Sequence, residues 1–244
     1  MSLLFYFIFG SFMGMLANIC VKHFHETKET ATPIWHCENC GKLLSWKDCI
    51  PIFSYLFLRG RCRNCHCALP LHYPFIEFFT GICFLAIAVS VPTLEDAVLF
   101  MFLTWLFIVA TVSDILYREI PDELHLIGFV FLFVYAFLYP LNPWDIALGI
   151  VFPGFFLLLF STIVEKWTKE SVIGGGDIKF LMTVGALMGW EFATTLFVSG
   201  TCLLFFIFFA VIWQNRRIGE STYAPMMIGF SMAYFLMFCA TFLS

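Results

Sequence analysis

The chain has 244 residues, of which 61% are hydrophobic and 12% charged, and its mean hydropathy is +0.91. A water-borne domain carries about a quarter charged residues, so this chain cannot cover itself with polar surface and lipid must cover it instead. The net charge of −4 excludes nucleic acid as a partner, because phosphate binding needs a basic face.

A bilayer core of about 30 Å is crossed by about 20 apolar residues. Eight segments qualify, at 3–21, 75–91, 97–113, 124–140, 145–164, 178–190, 192–213 and 224–243. The fold expected is an all-α polytopic membrane protein of about eight transmembrane helices. The first segment lacks a basic leading region and a small-residue cleavage site, so it is expected to be a retained helix and not a removed signal peptide. The sixth is short. Its residues Lys179 to Trp190 rise only about 18 Å, and Gly185, Ala186 and Gly189 suit close helix packing, so this helix is expected to lie buried among others.

One long polar insert, 23–73, separates the first and second segments. If all eight segments cross, one set of loops holds this insert together with 114–123, 165–177 and 214–223. With Lys22 and Lys179 at adjoining helix ends, that side carries all 13 basic residues. Basic loops face the cytoplasm, which places the insert inside and both termini outside. The expected organisation is a first transmembrane helix at 1–22, a cytoplasmic zinc-binding domain at 23–73 and a seven-helix membrane domain at 74–244.

Six of the ten cysteines (Cys37, Cys40, Cys49, Cys62, Cys65 and Cys67) fall in the insert, whereas Cys20, Cys83, Cys202 and Cys239 sit in apolar runs as ordinary small core residues. Cys37-Glu-Asn-Cys40 and Cys62-Arg-Asn-Cys65 are paired CxxC knuckles. Each presents two thiolates on a tight turn, and the two together complete a tetrahedron around Zn²⁺. A reducing compartment disfavours disulfides; another thiophilic metal such as iron is the alternative. Four protein ligands leave no open position, so the metal is expected to be structural. Cys49 and Cys67 stand nearby as spares.

Asp114 ends the third apolar run, and Asp177 follows Gly174-Gly175-Gly176 at the start of the sixth. Two carboxylates brought together where the dielectric is low cannot both ionise cheaply, so they share a proton. One then deprotonates a water while the other protonates a carbonyl, which is acid–base hydrolysis without a covalent intermediate. The plainer reading is that each caps or ends a helix. Asp122 and Glu123 look like caps of the following helix, and Glu119 looks solvated. The three glycines permit a close approach of backbone or a positive φ, and so room for an extended substrate strand beside Asp177.

Taken together, these residues resemble a known family. Ser113-Asp114 with Ile120-Pro121-Asp122, and Gly174-Gly175-Gly176-Asp177-Ile178-Lys179, are similar to the two aspartate motifs of the GxGD-type prepilin peptidases. The insert resembles that family's N-terminal cytoplasmic domain in its two CxxC pairs, in the stretch from Asp48 to Leu56, in Leu58-Arg59-Gly60-Arg61-Cys62-Arg63, and in Tyr73-Pro74 with Glu77. Phe9-Gly10-Ser11-Phe12 and Ala224-Pro225 resemble its first-helix and last-helix motifs. The chain departs from the pattern at Gly14, His72 and Glu38, and lacks an Arg late in the first helix; all four departures lie outside the aspartate motifs.

The resemblance implies an enzyme of the bacterial inner membrane that cleaves the leader of type IV prepilin or pseudopilin precursors on the cytoplasmic side. It also implies N-methylation of the new N-terminus with S-adenosylmethionine. Asp114 and Asp177 would be catalytic, and Gly174, Gly175, Gly176 and Lys179 would position the substrate. Glu77 and Asp48 would serve methyl transfer, the plainer reading of Glu77 being an acid at a helix N-terminus. No glycine-rich nucleotide fingerprint marks a cofactor site. The competing readings are a peptidase without methyl transfer, a proton-coupled transporter whose intramembrane acids carry protons, and a zinc-bearing scaffold in which the aspartates only cap helices.

Overall fold

The computed structural model describes residues 3–25, 36, 37, 39–43, 45, 48, 50–168, 174–191, 194–196 and 226–242. The expected span 192–213 lies outside these apart from 194–196. Cys49, Cys202, Ala224, Pro225, Lys28, Lys47, Lys169, Arg216 and Arg217 also lie outside them.

The described chain is helical. Its helices are α1 (Leu3–His25), α2 (Phe53–Phe57), α3 (His72–Ser90), α4 (Leu94–Tyr117), α5 (Asp122–Leu138), α6 (Pro143–Thr168), α7 (Gly175–Met188) and α8 (Met226–Phe242). The only extended pairings among the described residues are two isolated bridges, His36 with Leu43 and Arg61 with Ala68. Seven of the eight apolar segments read from the sequence thus coincide with helices. Three of these, α1, α3 and α4, are long and apolar enough to cross a membrane, and Pro143–Leu159 and Met227–Ala240 are shorter apolar stretches. Large side chains on α5 such as Phe133 and Phe137 remain exposed, which marks a surface made for lipid and not for water. The chain is accordingly a membrane protein. Helix α2 was not expected; it is a single turn and a half inside the polar insert.

By packing, the chain divides into two compact units, Met1–Val109 and Ala110–Ser244. In the first, α1 packs along α3. Gly14 makes this contact possible, since a Cβ there would stand 2.7 Å from Glu77 Cα and 2.9 Å from the Ile76 carbonyl oxygen. A side chain at Gly14 would therefore collide with the α3 backbone. Trp105 Nε1 donates to the Met13 carbonyl at 3.0 Å, holding the start of α4's inner half to the same pair.

In the second unit α7 packs on α6 and α5. A Cβ on Gly149 would overlap the Gly185 carbonyl oxygen, so the α6 and α7 backbones touch there. Pro153 lies inside α6, and having no N–H it leaves the Gly149 carbonyl without its helical donor. Phe180, Leu181, Val184, Ala186 and Leu187 of α7 are buried. The short sixth segment is therefore a core helix, as its small residues require.

Candidate active site and metal centre

The aspartates belong to the second unit. Asp114 sits in the last turn of α4, which ends as Arg118 takes a positive φ of 60°. The chain then turns through Ile120 and Pro121, both buried. Pro121, extended at φ −68° and ψ 141°, is the N-cap of α5; the expected cap residues Asp122 and Glu123 are first-turn acids instead. Gly174 is the N-cap of α7, extended at φ −69° and ψ 142°, and Asp177 is the third residue of that helix. Its N–H donates to the Gly174 carbonyl at 3.2 Å. Asp177 is thus not the cap that the plainer reading made it.

The two carboxylates lie close enough for their charges to repel, and their surroundings differ. Asp114 is 5% exposed, and its Oδ2 accepts the Met227 N–H at 3.0 Å. That N–H is one of the donors left free at the start of α8, where the helix dipole favours negative charge. Thr111 and Ser231 hydroxyls, 2.5 Å apart, tie α4 to α8 one turn away. Asp177 is half-buried, yet its Oδ1 has no partner. Buried polar atoms left unmet are costly and are expected mainly where a ligand or water is to be bound.

The glycine run builds part of this site. A Cβ at Gly176 would meet Ile120 Cβ at 3.2 Å, and one at Gly174 would meet Asp177 Oδ2 at 3.1 Å, whereas a Cβ at Gly175 would meet nothing. Close approach is therefore what Gly174 and Gly176 provide. The alternative use of the run, a positive φ, is not taken, the positive-φ glycines among the described residues being Gly41, Gly60 and Gly189. Lys179 Nζ pairs with Asp122 Oδ1 at 2.6 Å on the exposed side, joining the two aspartate motifs, which are 57 residues apart at this contact. His125, one turn into α5, is 6% exposed and packs against Phe180. Neither the Asp122–Lys179 pair nor buried His125 was singled out from the sequence. Both depend on how α5 packs on α7, which periodicity does not specify.

The thiols belong to the first unit. Cys37, Cys40, Cys62 and Cys65 place their Sγ atoms within 4.8 Å of one another. With Zn–S bonds of about 2.3 Å, the edge of a tetrahedral site is about 3.8 Å; Cys37 and Cys65 are separated by 3.8 Å. The donor set fits Zn²⁺. Two matching turns create it. Cys37 N–H donates to the Lys42 carbonyl at 3.0 Å, and Cys62 N–H to the Cys67 carbonyl at 2.9 Å; Gly41 N–H donates to the Cys37 carbonyl at 2.8 Å, and His66 N–H to the Cys62 carbonyl at 3.0 Å. Gly41 and His66 both take a positive φ, 66° and 57°. Every element of the first turn recurs 25 positions later, and the signal was legible, since His36-Cys-Glu-Asn-Cys-Gly-Lys-Leu43 aligns with Arg61-Cys-Arg-Asn-Cys-His-Cys-Ala68. Cys67 takes the place of Lys42 in this alignment and brings a fifth thiol to the cluster. Hydrogen bonds from the backbone and side chain of Cys67 pull the Cys65 thiol down to about 6. The contact with Cys65, together with burial, pushes Cys67 up to about 12.

Two residues proposed for methyl transfer have partners within this unit. Asp48 accepts from Ser45 Oγ at 2.9 Å and pairs with Arg63 at 2.7 Å. Burial works against its charge, but the Ser45 and Arg63 contacts outweigh it and hold the carboxyl below the ordinary carboxylate range. Glu77 Oε2 accepts the Ile52 N–H at 2.7 Å, fixing Ile52 at φ 62° where α2 begins.

These features define a class, a helical membrane protein with a carboxylate pair at helix ends and a thiol cluster in a polar insert. Comparison with known proteins gives the particular family. Residues 8–91 match the bacterial peptidase A24 N-terminal domain, and residues 101–213 match the type IV leader peptidase family. A prepilin leader peptidase/N-methyltransferase of Pectobacterium carotovorum is 32% identical over 79% of this chain and 68% of its own length. Those of Vibrio cholerae and Bacillus subtilis are each 30% identical, over 71% and 75% of this chain and 69% and 72% of their own lengths. No solved structure matches. The chain belongs to the type IV leader peptidase family and is a peptidase of that kind.

Proposed function

We propose that this chain hydrolyses the leader from type IV prepilin or pseudopilin precursors with Asp114 and Asp177, at the cytoplasmic edge of the bacterial inner membrane. The observation that carries the reading is the asymmetry of the pair. Asp114, which receives a backbone N–H at the start of α8, is the carboxylate that takes a proton from the attacking water. Asp177, with Oδ1 unmet, holds the shared proton and delivers it to the scissile carbonyl or leaving amine. The substrate strand lies over Gly175, where nothing blocks it. Lys179 bears on the substrate through its ion pair with Asp122, which keeps the two motifs in register.

The scissile bond of such a precursor joins a polar leader to an apolar segment, so it rests where charge meets lipid. Eight transmembrane helices with the basic loops inside, and domains at 1–22, 23–73 and 74–244, agree with this placement. The thiol cluster would hold one structural Zn²⁺ through Cys37, Cys40, Cys62 and Cys65. When bound, the metal supplies cross-links between the two turns of the insert and no open coordination position.

Methylation of the new N-terminus is supported by the names of the relatives, prepilin leader peptidase/N-methyltransferases. No cofactor cradle is defined among the described residues, and no step is assigned to S-adenosylmethionine beyond donating the methyl group. Glu77 is the residue proposed to receive the new amine through the carboxylate oxygen that Ile52 does not occupy; Asp48 supports the insert through Arg63. Incubating purified full-length protein with a pilin-like precursor and S-adenosylmethionine tests both activities by product mass. A shortened, methylated product is expected. Shortened but unmethylated product would make the chain a peptidase only, and uncut precursor would overturn the assignment of Asp114 and Asp177 to leader cleavage. Glu77→Gln should lower methylation and leave cleavage nearly intact.

A further inference from the structure

Cys67 touches the thiol quartet as closely as its members touch one another. Its Sγ lies 3.3 Å from Cys65 Sγ and 3.6 Å from Cys37 Sγ, and Cys37 and Cys65 are 3.8 Å apart. These three sulfurs form a triangle whose edges approach that of one tetrahedral face around a thiolate-bound metal, about 3.8 Å. Cys40 also contacts Cys37 and Cys65. Cys40 and Cys67 therefore both contact the Cys37–Cys65 edge of the site. Cys62 contacts both Cys37 and Cys65, and its N–H is bonded to the Cys67 carbonyl.

We propose that the insert carries two overlapping metal quartets, Cys37, Cys62, Cys65 with Cys40 and Cys37, Cys62, Cys65 with Cys67, and that Cys67 is a reserve ligand exchanging with Cys40. In the exchange the metal–sulfur bond to Cys40 breaks and one to Cys67 forms. Cys67 gives up its proton as it binds, and Cys40 gains one as it leaves, so charge at the metal is unchanged. A site of this kind keeps four thiolates on the metal while one ligand is released, which makes Cys40 the member available to bend away, to be modified, or to pass a metal in or out. Cys40 lies on the first knuckle, whose position corresponding to Cys67 is Lys42 and carries no thiol. The reserve is therefore one-sided.

This inference rests on the reading of the cluster as a metal site, and the experiment separates the two. Full-length protein in detergent is loaded with Co²⁺ as a spectroscopic substitute for zinc, and the thiolate charge-transfer and d–d bands are recorded. Wild type should show a four-thiolate spectrum; absence of any bound metal in wild type would overturn the metal-site reading and this inference with it. Cys40→Ser should retain the four-thiolate spectrum, whereas Cys40→Ser/Cys67→Ser should lose it. Identical spectra from the single and double variants would overturn the inference while leaving the metal site standing. If the single variant does not fold, wild-type zinc-loaded protein is alkylated and the label mapped by mass. Label shared between Cys40 and Cys67 is expected; label at Cys67 with none at Cys40 would refute the exchange.

Discussion

The thiol insert and the aspartate pair satisfy their polar groups in opposite ways. In the insert, both knuckles close on their own backbone, Asp48 is matched by Ser45 and Arg63, and Asn39 and Asn64 direct N–H groups to the sulfurs of Cys65 and Cys62. Around the aspartates, one carboxylate is met by a helix terminus while the other keeps a buried oxygen without a donor. A region that only has to hold its shape meets its own hydrogen bonds. A region that has to act on something else keeps part of its bonding capacity open, at a cost in stability.

The largest effect is expected at Cys37, which contacts the other thiols of the cluster. Cys37→Ser should abolish metal binding, seen as loss of about one zinc per chain by elemental analysis. Because metal binding is folding free energy here, the insert should also become sensitive to proteolysis. Gly149→Ala comes next. Its Cβ has no room against the Gly185 backbone, and forcing α6 from α7 should cost roughly 1–3 kcal/mol, read as a lowered melting temperature in detergent.

The two aspartates should then part company in stability. Asp114→Asn gives up a charged acceptor at the start of α8, worth about 1 kcal/mol. Asp177→Asn replaces a half-buried carboxyl whose Oδ1 has no donor and should leave the melting temperature unchanged or higher. Equal losses would mean that the asymmetry of the pair is not real. The smallest effect is expected at Lys179→Met. Its partner Asp122 and its own side chain are both largely exposed, solvent screens the pair, and the stability change should be about 0.5 kcal/mol or less. Any larger effect should appear in cleavage, through the register of the two motifs.

How far these regions could be read in advance follows from the range of the interactions that build them. The apolar runs announced α1, α3 and α4 because desolvation acts residue by residue. The knuckles were legible because a thiol pair two residues apart is a local device, and the 25-residue repeat that exposes Cys67 as the odd member was equally open to reading. Helix α2 was missed because five residues, Phe53 to Phe57, carry no periodicity and begin at a non-glycine residue, Ile52, held at positive φ by Glu77. The pairing of Asp122 with Lys179 and the N–H that Met227 gives to Asp114 span 57 and 113 residues. They exist only once the helices have packed. The motifs named the aspartates, but only the packing distinguishes their roles.

Asp114 and Asp177 are proposed to act as one unit. This is tested most directly by incubating each single variant, Asp114→Asn and Asp177→Asn, with a pilin-like precursor beside wild type, after confirming that both variants are folded and membrane-inserted. Shortened product is expected from wild type and only full-length precursor from either variant. Shortened product from either variant at a rate comparable to wild type would contradict it.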